Sequence, residues 1–290
     1  MTQDINTLIN NSNSVGIVSH DPGGANILNA LVKEFKDINF NLFVQGPAKL
    51  IFDAININIF EDESTFFNSV DFVLFGTGST SYEKKFLRYA KSKNILTAAI
   101  LDHFVNFRQR FIEGSTLSFP DHCFVCDEYS YQLAKKELFP YENISICKNY
   151  LVAAIQNEIQ TSTRIKNHDA VLYVLENVNE EWDEALLPWE IAFNNFYENF
   201  YKDSDFKKII VRPHPNDNPK IYDSLKKYKE IIFDNTSSFI VALSEVSTVV
   251  GIESYLLYVS HHCGLNVYTS IPKKIRSPRL PNHVFKRFDT

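Results

Sequence analysis

Residues 14–32 read SVGIVSHDPGGANILNALV, and this stretch decides the fold. Ser14 to Ser19 is apolar and rich in β-branched residues, as a buried strand requires, and from Ala25 to Phe35 the apolar residues recur at helical spacing. A short loop with His20, Asp21 and two glycines joins them. The stretch therefore predicts a strand, a polar turn and a helix, the repeating step of a parallel sheet with crossover helices.

The same alternation continues along the chain. The polar stretch from Gln160 to Asp169, QTSTRIKNHD, interrupts it as a linker between two lobes would. We therefore predict an α/β protein of two Rossmann-like lobes with parallel sheets, residues 1–160 and 161–290. Ligands of such sheets bind beyond the carboxyl ends of the strands, and we expect the site in a cleft between the lobes.

Composition limits the classes of function. A net charge of −6 over 290 residues argues against a general nucleic-acid binder, which needs a concentrated cationic surface. Neither a membrane-length apolar run nor a signal peptide is evident, so we expect a cytoplasmic protein. The C-terminal segment is locally basic, which fits either a solvated tail or contact with a phosphorylated ligand or the anionic inner membrane. Its cations are Lys273, Lys274, Arg276, Arg279, Lys286 and Arg287.

The 4 cysteines are too few for a disulfide framework in a chain of this length. The segments His122 to Cys126 and His261 to Cys263 have the residue types of a zinc site. However, HCFVC is typical of a strand, on which residues three apart point to opposite faces. We therefore predict neither a metal nor another cofactor.

Polar residues follow the predicted strands of the first lobe. The Gly23–Gly24 pair lets the backbone approach a ligand, and the helix that follows presents free N–H groups to an anion. The loops after later strands add hydroxyl, amide and guanidinium groups between aromatic residues, which suits a carbohydrate. A simple turn or capping loop is the alternative for the first two loops. The candidate residues for acceptor binding and catalysis are His20, Asp21, Gly23, Gly24, Thr77, Asp102, His103, Asn106, Arg108 and Arg110.

The second lobe has a second set of candidates. His214 lies between Pro213 and Pro215, which restrict the backbone on both sides. It could contact a phosphate or protonate a leaving group, or it could be a buried structural histidine. A helix predicted to begin near Ser254 could bind phosphate through its N-terminus. The candidates for nucleotide binding, besides His214, are Glu176, Arg212, Gly251, Glu253, Ser254, Lys273 and Arg276.

A strand ending in RPHP, followed later by a strand ending in VVGIES, resembles the nucleotide-sugar-binding lobe of GT-B glycosyltransferases. The nearest likeness is to the sialyltransferase-like, polysialyltransferase-like and Kdo-transferase-like enzymes of bacterial capsule and lipopolysaccharide assembly. The resemblance implies inverting, metal-independent transfer from a CMP-activated acidic sugar to a glycan acceptor. His214 and Ser254 would contact the donor phosphate. The general base would be Asp21, with Asp102 second, although SHDPGGAN replaces the acidic-acidic-glycine motif of the family.

Three other functions fit part of the sequence. UDP-N-acetylglucosamine 2-epimerases share the two-lobe fold and a histidine-proline segment, but GIESYLLYV does not match their Gly-Gly and paired-glutamate segment. A CDP-glycerol phosphotransferase-like enzyme is another alternative. The chain could also be a non-catalytic subunit of a polysaccharide-assembly complex. The sequence predicts no oligomeric state.

Overall fold

A computed structural model of the chain describes residues 4–53, 55, 57–164, 166–176, 178–214, 217–236 and 238–288. The chain divides into two compact units, Met1–Ala154 and Ile155–Thr290, called unit 1 and unit 2 below. The boundary lies within a helix, six residues before the end of the predicted first lobe at residue 160. Each unit is built on its own parallel sheet.

In its described part, unit 1 has a seven-stranded sheet in the order β3-β2-β1-β4-β5-β8-β9. A short antiparallel hairpin, β6–β7, follows β5, after the 3-10 helix Arg108–Phe111. The strands are β1 Val15–Ser19, β2 Phe40–Val44, β3 Asn58–Ile59, β4 Phe72–Phe75, β5 Leu96–Ile100, β6 Ile112–Glu113, β7 Thr116–Leu117, β8 His122–Val125 and β9 Ile144–Ile146. The helices are α1 Ile5–Asn10, α2 Pro22–Glu34, α3 Pro47–Phe52, α4 Glu63–Asn68, α5 Tyr82–Ser92 and α6 Glu128–Glu137, and α7 Tyr150–Thr161 crosses the boundary.

The central strands of unit 1 are buried on both faces. In β1, Ile17 packs into one apolar cluster with Leu28 of α2, whereas the next residue, Val18, packs into a second cluster with Phe86 of α5. Because successive side chains of a strand point to opposite faces, the two clusters cover the two sides of the sheet. This arrangement explains why residues 15–18, VGIV, contain no polar side chain instead of alternating between apolar and polar residues.

Among its described residues, unit 2 has a five-stranded parallel sheet in the order β12-β11-β10-β13-β14. Its strands are β10 Ala170–Val174, β11 Lys208–Arg212, β12 Ile231–Phe233, β13 Thr248–Gly251 and β14 Asn266–Thr269. Its further helices are α8 Pro188–Phe196, which continues into a π-helical turn Tyr197–Tyr201, the 3-10 helix Pro219–Lys227, α9 Phe239–Glu245 and α10 Tyr255–His262. The predicted α/β class with two parallel sheets is confirmed.

Three helices differ from the sequence prediction. Helix α2 begins at Pro22 rather than at Ala25, so Gly23 and Gly24 lie in its first turn and not in a loop. The sequence from Trp182 to Tyr201 predicts one helix, but α8 begins at Pro188, because the residue before a proline is driven out of the helical region and Leu187 is extended at ψ 149°. The 12-residue helix α7, Tyr150–Thr161, was not predicted and occupies the beginning of the expected linker. The division of the chain therefore falls within regular structure rather than in the polar stretch.

Candidate functional site

The carboxyl ends of β1 and β4 form the first candidate site, in unit 1. These strands are neighbours in the sheet, and the strands that continue from them lie on opposite sides, so a topological switch point falls between them. In open α/β sheets this is where ligands bind. The loop after β1 carries His20 and Asp21, and the loop after β4 runs from Gly76 to Ser81.

Glu83 in the first turn of α5 holds the two loops together. Its carboxylate accepts hydrogen bonds from the backbone N–H of His20 at 2.8 Å and from the Thr80 hydroxyl at 3.2 Å. Glu83 is only 5% exposed, and burial raises its pKa although the backbone N–H of His20 opposes the shift. Glu83 was not among the predicted site residues, but the Thr80-x-x-Glu83 spacing of a capping box is a sequence signal for it.

His20 and Asp21 form a hydrogen-bonded pair. The distance from His20 Nδ1 to Asp21 Oδ1 is 2.7 Å, and Asp21 Oδ2 accepts from the backbone N–H of Ser79 at 2.7 Å and from its hydroxyl at 3.0 Å. Burial raises the pKa of Asp21, but the hydrogen bonds from His20 and Ser79 outweigh it, so the pKa is lowered. Asp21 occupies the N-cap position of α2 without capping it, because its carboxylate turns toward Ser79.

Asp102, after β5, pairs with Arg110. Asp102 Oδ1 accepts from Arg110 Nη1 at 2.5 Å and from the Thr77 hydroxyl at 3.3 Å. Thr77 also donates to the carbonyl of Ile100 at 3.1 Å, and Arg110 donates to the Thr77 carbonyl. The three predicted residues Thr77, Asp102 and Arg110 thus form one network at the ends of β4 and β5.

Gly23 and Gly24 lie in the first turn of α2, where other parts of the unit approach closely. A Cβ on Gly24 would lie 2.8 Å from Gly76 Cα, so the backbones of α2 and of the loop after β4 are in contact there. A Cβ on Gly23 would lie 1.9 Å from Asp102 Oδ2, which is a side-chain atom. The backbone contact accounts for Gly24 without a bound ligand, whereas Gly23 is opposed only by a side chain.

A cavity of about 500 Å³ lies against these loops. Of the predicted residues, Asp21, Gly23, Thr77, Asp102, Asn106 and Arg110 line it. Ser79, Lys84 and Gln109 also line it, and none of these three was a candidate from the sequence. Asn106 has a left-handed backbone, with φ 59°, which asparagine tolerates better than most residues. The cavity is thus lined with the hydrogen-bonding groups that a carbohydrate needs.

Two predicted residues of this set have other contacts. Arg108 donates to the carbonyl of Phe139 at 2.9 Å and faces the ring of Phe119. His103 accepts from the backbone N–H of Phe104 through its own Nδ1 at 2.9 Å. Neither residue lines the cavity, and His20 and Gly24 do not line it either.

In unit 2, His214 lines a cavity of about 730 Å³ at the carboxyl ends of β11 and β12. His214 is exposed, so the alternative of a buried structural histidine is wrong. Arg212 forms an ion pair with Asp234, whose side chain is 4% exposed. Burial raises the pKa of Asp234, but hydrogen bonds from Thr236 and Arg212 lower it overall. Pro215, the second proline beside His214, lies outside the described residues.

Glu253, after β13, lies at the centre of an ion-pair network. Its carboxylate accepts from Arg276 Nη1 and Nη2, each at 2.8 Å, and from the backbone N–H and Nε of Arg279 at 2.9 and 2.8 Å. Arg276 also donates to Glu180 at 2.8 and 3.0 Å. Burial raises the pKa of Glu253, but these bonds lower it to about 2. Arg276, predicted to contact a phosphate, is thus bound to two carboxylates.

The remaining predicted residues of unit 2 lie at different places. Ser254 is the N-cap of α10 and accepts from the backbone N–H of Leu256 at 3.3 Å. Gly251 ends β13, and Glu176 follows β10 and accepts from the backbone N–H of Glu253 at 3.2 Å. Lys273 lines a separate cavity of about 690 Å³ beside α8, where it does not join His214.

In the described part of the chain, no helix is long and apolar enough to cross a membrane. No cluster of three or more histidine, cysteine or acidic residues with metal-binding geometry occurs among those residues either.

The chain resembles known proteins in its fold. No protein-family model matches the chain, and no curated protein sequence matches it. UDP-N-acetylglucosamine 2-epimerase from Rickettsia bellii is similar, with 13% identity and a TM-score of 0.61 over 89% of this chain and 78% of that one. The glycotransferase of kitacinnamycin has 9% identity and a TM-score of 0.56, over 95% and 86%. A variant of the wall teichoic acid polymerase TagF has 10% identity and a TM-score of 0.52, over 89% and 70%. The chain therefore has a GT-B-like fold.

Proposed function

We propose that this protein is an inverting glycosyltransferase that uses a nucleotide-activated sugar, with the acceptor bound by unit 1 and the donor by unit 2. The observation that carries the proposal is a polar cluster with a histidine at the carboxyl end of each sheet. These clusters are His20 with Asp21 in unit 1 and His214 with Arg212 in unit 2. Ligands of open α/β sheets bind at these ends. The likeness to glycosyltransferase and epimerase folds supports the proposal.

For the donor we propose a CMP-activated acidic sugar, on the resemblance of RPHP and VVGIES to transferases that use such donors. The His214 cavity is lined by three cations and three carboxylates, so their formal charges cancel. A CMP-activated acidic sugar carries one phosphate and one carboxylate charge, the same total as the diphosphate of a neutral UDP-sugar. The lining charge therefore does not separate the two donors, and the nucleotide titration below does. The cations are Arg212, Lys220 and Lys226, and the carboxylates are Asp217, Asp223 and Asp234.

For the general base we propose His20 assisted by Asp21 rather than Asp21 alone, although His20 does not line the unit 1 cavity and its Nε2 lies beside Gly46. Asp21 has a lowered pKa and already accepts three hydrogen bonds, which makes its carboxylate a weak proton acceptor. When His20 Nδ1 donates to Asp21, Nε2 has a free lone pair for a proton. The orienting carboxylate then has the role of the third group in a catalytic triad. Asp102 is paired with Arg110 and is the weaker candidate.

The proposed reaction is a single displacement at the anomeric carbon. The acceptor oxygen forms a bond to the anomeric carbon while its proton passes to His20 Nε2. The bond from the anomeric carbon to the phosphate oxygen breaks, and CMP leaves with the electron pair. His214 stabilises the negative charge on the departing phosphate, whereas Ser254 does not line the His214 cavity. Attack from the face opposite the leaving group inverts the configuration.

A thermal-shift titration with CMP, CDP, UMP and UDP tests the proposal, because a ligand that binds the folded state raises the unfolding midpoint. We expect CMP to stabilise the protein most, His214→Ala to lose the shift, and His283→Ala, an exposed histidine of the same unit outside this cavity, to keep it. Selective stabilisation by UDP would instead favour a UDP-sugar enzyme, and by CDP a CDP-glycerol phosphotransferase. No response to any nucleotide would contradict the proposal and favour a non-catalytic subunit.

A further inference from the structure

The polar side chains that line the cavity of unit 1 fall into two groups. Those of the first group are bonded to other parts of the protein. The Asp102 carboxylate accepts from Arg110 and from the Thr77 hydroxyl, and the Asp21 carboxylate accepts from the backbone N–H and the hydroxyl of Ser79. These bonds fix the shape of the cavity wall and use much of the bonding capacity of the groups that make them.

The second group consists of Lys84, Asn106 and Gln109, which line the same cavity. The ammonium group of Lys84 donates to the carbonyl of Ser79 at 3.4 Å, a long bond to a neutral acceptor. Among the described residues, Lys84 forms no ion pair, and the side-chain amides of Asn106 and Gln109 have no protein partner. The cavity therefore has one cation and two amides whose donors are available to a bound molecule.

The neighbouring lysine differs from Lys84 in all of these respects. Lys85 pairs with Glu63 at 3.4 Å, its ammonium group lies over the ring of Phe86, and it does not line the cavity. Both lysines lie in the first turn of α5, where the partial positive charge of the helix end disfavours a cation. Helix stability therefore does not account for Lys84, whereas a negatively charged group in the cavity would.

The charges around the cavity fit a ligand with one negative charge near Lys84. Arg110 is already compensated by Asp102, and Asp21, with its lowered pKa, stays ionised near neutral pH. A phosphomonoester carries nearly two charges at neutral pH and would face both aspartates with Lys84 as the available cation. A carboxylate carries one charge, and its two oxygens can accept from several donors at once. A carboxylate is therefore the better match.

We propose that Lys84 selects an acceptor sugar that carries a carboxylate, by pairing its ammonium group with that carboxylate in the cavity of unit 1. The inference rests on the proposed function, in which unit 1 binds the acceptor. The amides of Asn106 and Gln109 donate to the same carboxylate or to the hydroxyls beside it. Lys84 thus determines which acceptor binds and takes no part in proton transfer, so the acceptor belongs to the acidic glycans.

A ligand-observed NMR titration with matched sugars tests this preference. The probes are the methyl glycosides of glucuronic, galacturonic and N-acetylneuraminic acid, each compared with its own methyl ester, which has nearly the same shape but no charge. We expect at least one acid to bind roughly tenfold more tightly than its ester, the effect of a hydrogen bond to a charged group. Added salt should reduce that difference, because it screens a half-buried ion pair.

Three variants locate the preference. Lys84→Met should abolish it, and Lys84→Arg should retain most of it, since the cation is kept. Lys85→Met removes the neighbouring cation, which lies outside the cavity, and should behave as the wild type. Because Lys84 belongs to unit 1, its replacement also separates acceptor binding from binding of an acidic donor sugar by unit 2.

The nucleotide titration distinguishes failure of this inference from failure of the proposed function. Equal binding of every acid and its ester, no binding of any acid, or a preference that survives in Lys84→Met would overturn the role of Lys84. If CMP stabilises the protein in any of these cases, the proposed function stands without it. If neither a nucleotide nor a sugar binds, both are contradicted.

Discussion

Different kinds of hydrogen-bond donor bind the carboxylates at the topological switch points of the two units. In unit 1, the carboxylates of Asp21 and Glu83 are held mainly by backbone amides and hydroxyls. In unit 2, the Glu253 carboxylate is held by two guanidinium groups. Amide and hydroxyl groups are neutral donors, so they hold a loop in place without adding charge. Guanidinium groups are cations, so they also compensate the negative charge of a buried carboxylate. The carboxylates of unit 1 are thus oriented mainly by neutral donors, whereas the buried Glu253 of unit 2 is neutralised by cations.

Replacing His20 should have the largest effect of all. We expect His20→Ala to lower turnover about 10²–10⁴-fold, the usual contribution of a general base, with little change in donor affinity. The measurement is single-turnover transfer from the donor that the nucleotide titration identifies. His122→Ala, a half-buried histidine at the start of β8, is the matched control. If His20→Ala retained full turnover, His20 would not be the general base and Asp21 would be the preferred candidate.

Breaking the network of unit 2 should destabilise that unit alone. Arg276→Ala leaves Glu253 with fewer cations, and removal of one partner from a buried ion pair costs roughly 3 kcal/mol. Hydrogen exchange followed by mass spectrometry should show faster exchange in β13 and α10 and unchanged exchange in β1 and β4. Lys274→Ala, an exposed neighbour, should change neither. Equal loss of protection in both units would contradict the independence of the two sites.

The glycine contact of unit 1 should be destabilised by an added methyl group. Gly24→Ala places a methyl group 2.8 Å from Gly76 Cα, and such overpacking costs about 1–3 kcal/mol. Gly114→Ala is the comparison, since nothing lies within 4 Å of its Cβ and only its backbone, at φ 58°, opposes the change. Urea denaturation should show the larger loss for Gly24→Ala. A Gly24→Ala variant as stable as the wild type would show that the loops after β1 and β4 can separate.

The two glutamates of unit 2 should give opposite dependences of stability on pH. The pKa of Glu253 is lowered to about 2, so its stabilising contribution is present above pH 4.5 and is lost as the pH falls toward 2. The pKa of Glu176 is raised to about 7, so its ionisation opposes folding increasingly as the pH rises from 4.5 to 7. Glu176→Gln should therefore raise the unfolding midpoint by a few degrees at pH 8 and leave it unchanged at pH 4. An equal rise at both values would exclude ionisation as the cause.

The smallest effect is expected from Arg108. Because its side chain contacts Phe139 and Phe119 and does not line the cavity of unit 1, Arg108→Ala should cost less than about 1 kcal/mol and leave acceptor saturation unchanged. Saturation curves for the acceptor, compared with those of Arg110→Ala, provide the measurement. A raised KM for the acceptor in Arg108→Ala would place that residue back in the binding site.

The fold was largely readable from the sequence, because a strand buried on both faces leaves a continuous apolar run. Ser14 to Ser19 was predicted and Val15–Ser19 was found, but α2 begins at Pro22, so the loop after β1 is shorter than predicted and does not contain the two glycines. Helix α8 was predicted too long because the apolar spacing before Pro188 was given more weight than the proline. The local pattern of apolar residues predicts that a strand or helix forms, whereas residues that restrict the backbone, such as proline, determine where it begins or ends.

The hydrogen-bond and ion-pair partners of the site residues could not be predicted from the sequence in the same way. Glu253 and Arg276 are 23 residues apart, and nothing in either segment specifies that they pair rather than bind a ligand. Likewise, the Asp21 carboxylate had the sequence position of a helix cap, yet it bonds Ser79, 58 residues later. Such pairings depend on which strand ends become neighbours, which follows from the sheet order rather than from any local pattern.

The contact between Gly24 and Gly76 has a different consequence for variation at each position. A Cβ on Gly24 would lie 2.8 Å from Gly76 Cα, whereas a Cβ on Gly76 would lie 2.5 Å from Ser19 Oγ and 3.5 Å from Gly24 Cα. A larger residue at position 24 therefore requires a shift of backbone, whereas one at position 76 first requires the Ser19 hydroxyl to move. Among natural homologues and in randomised libraries, we therefore expect glycine to be retained more strictly at position 24 than at position 76.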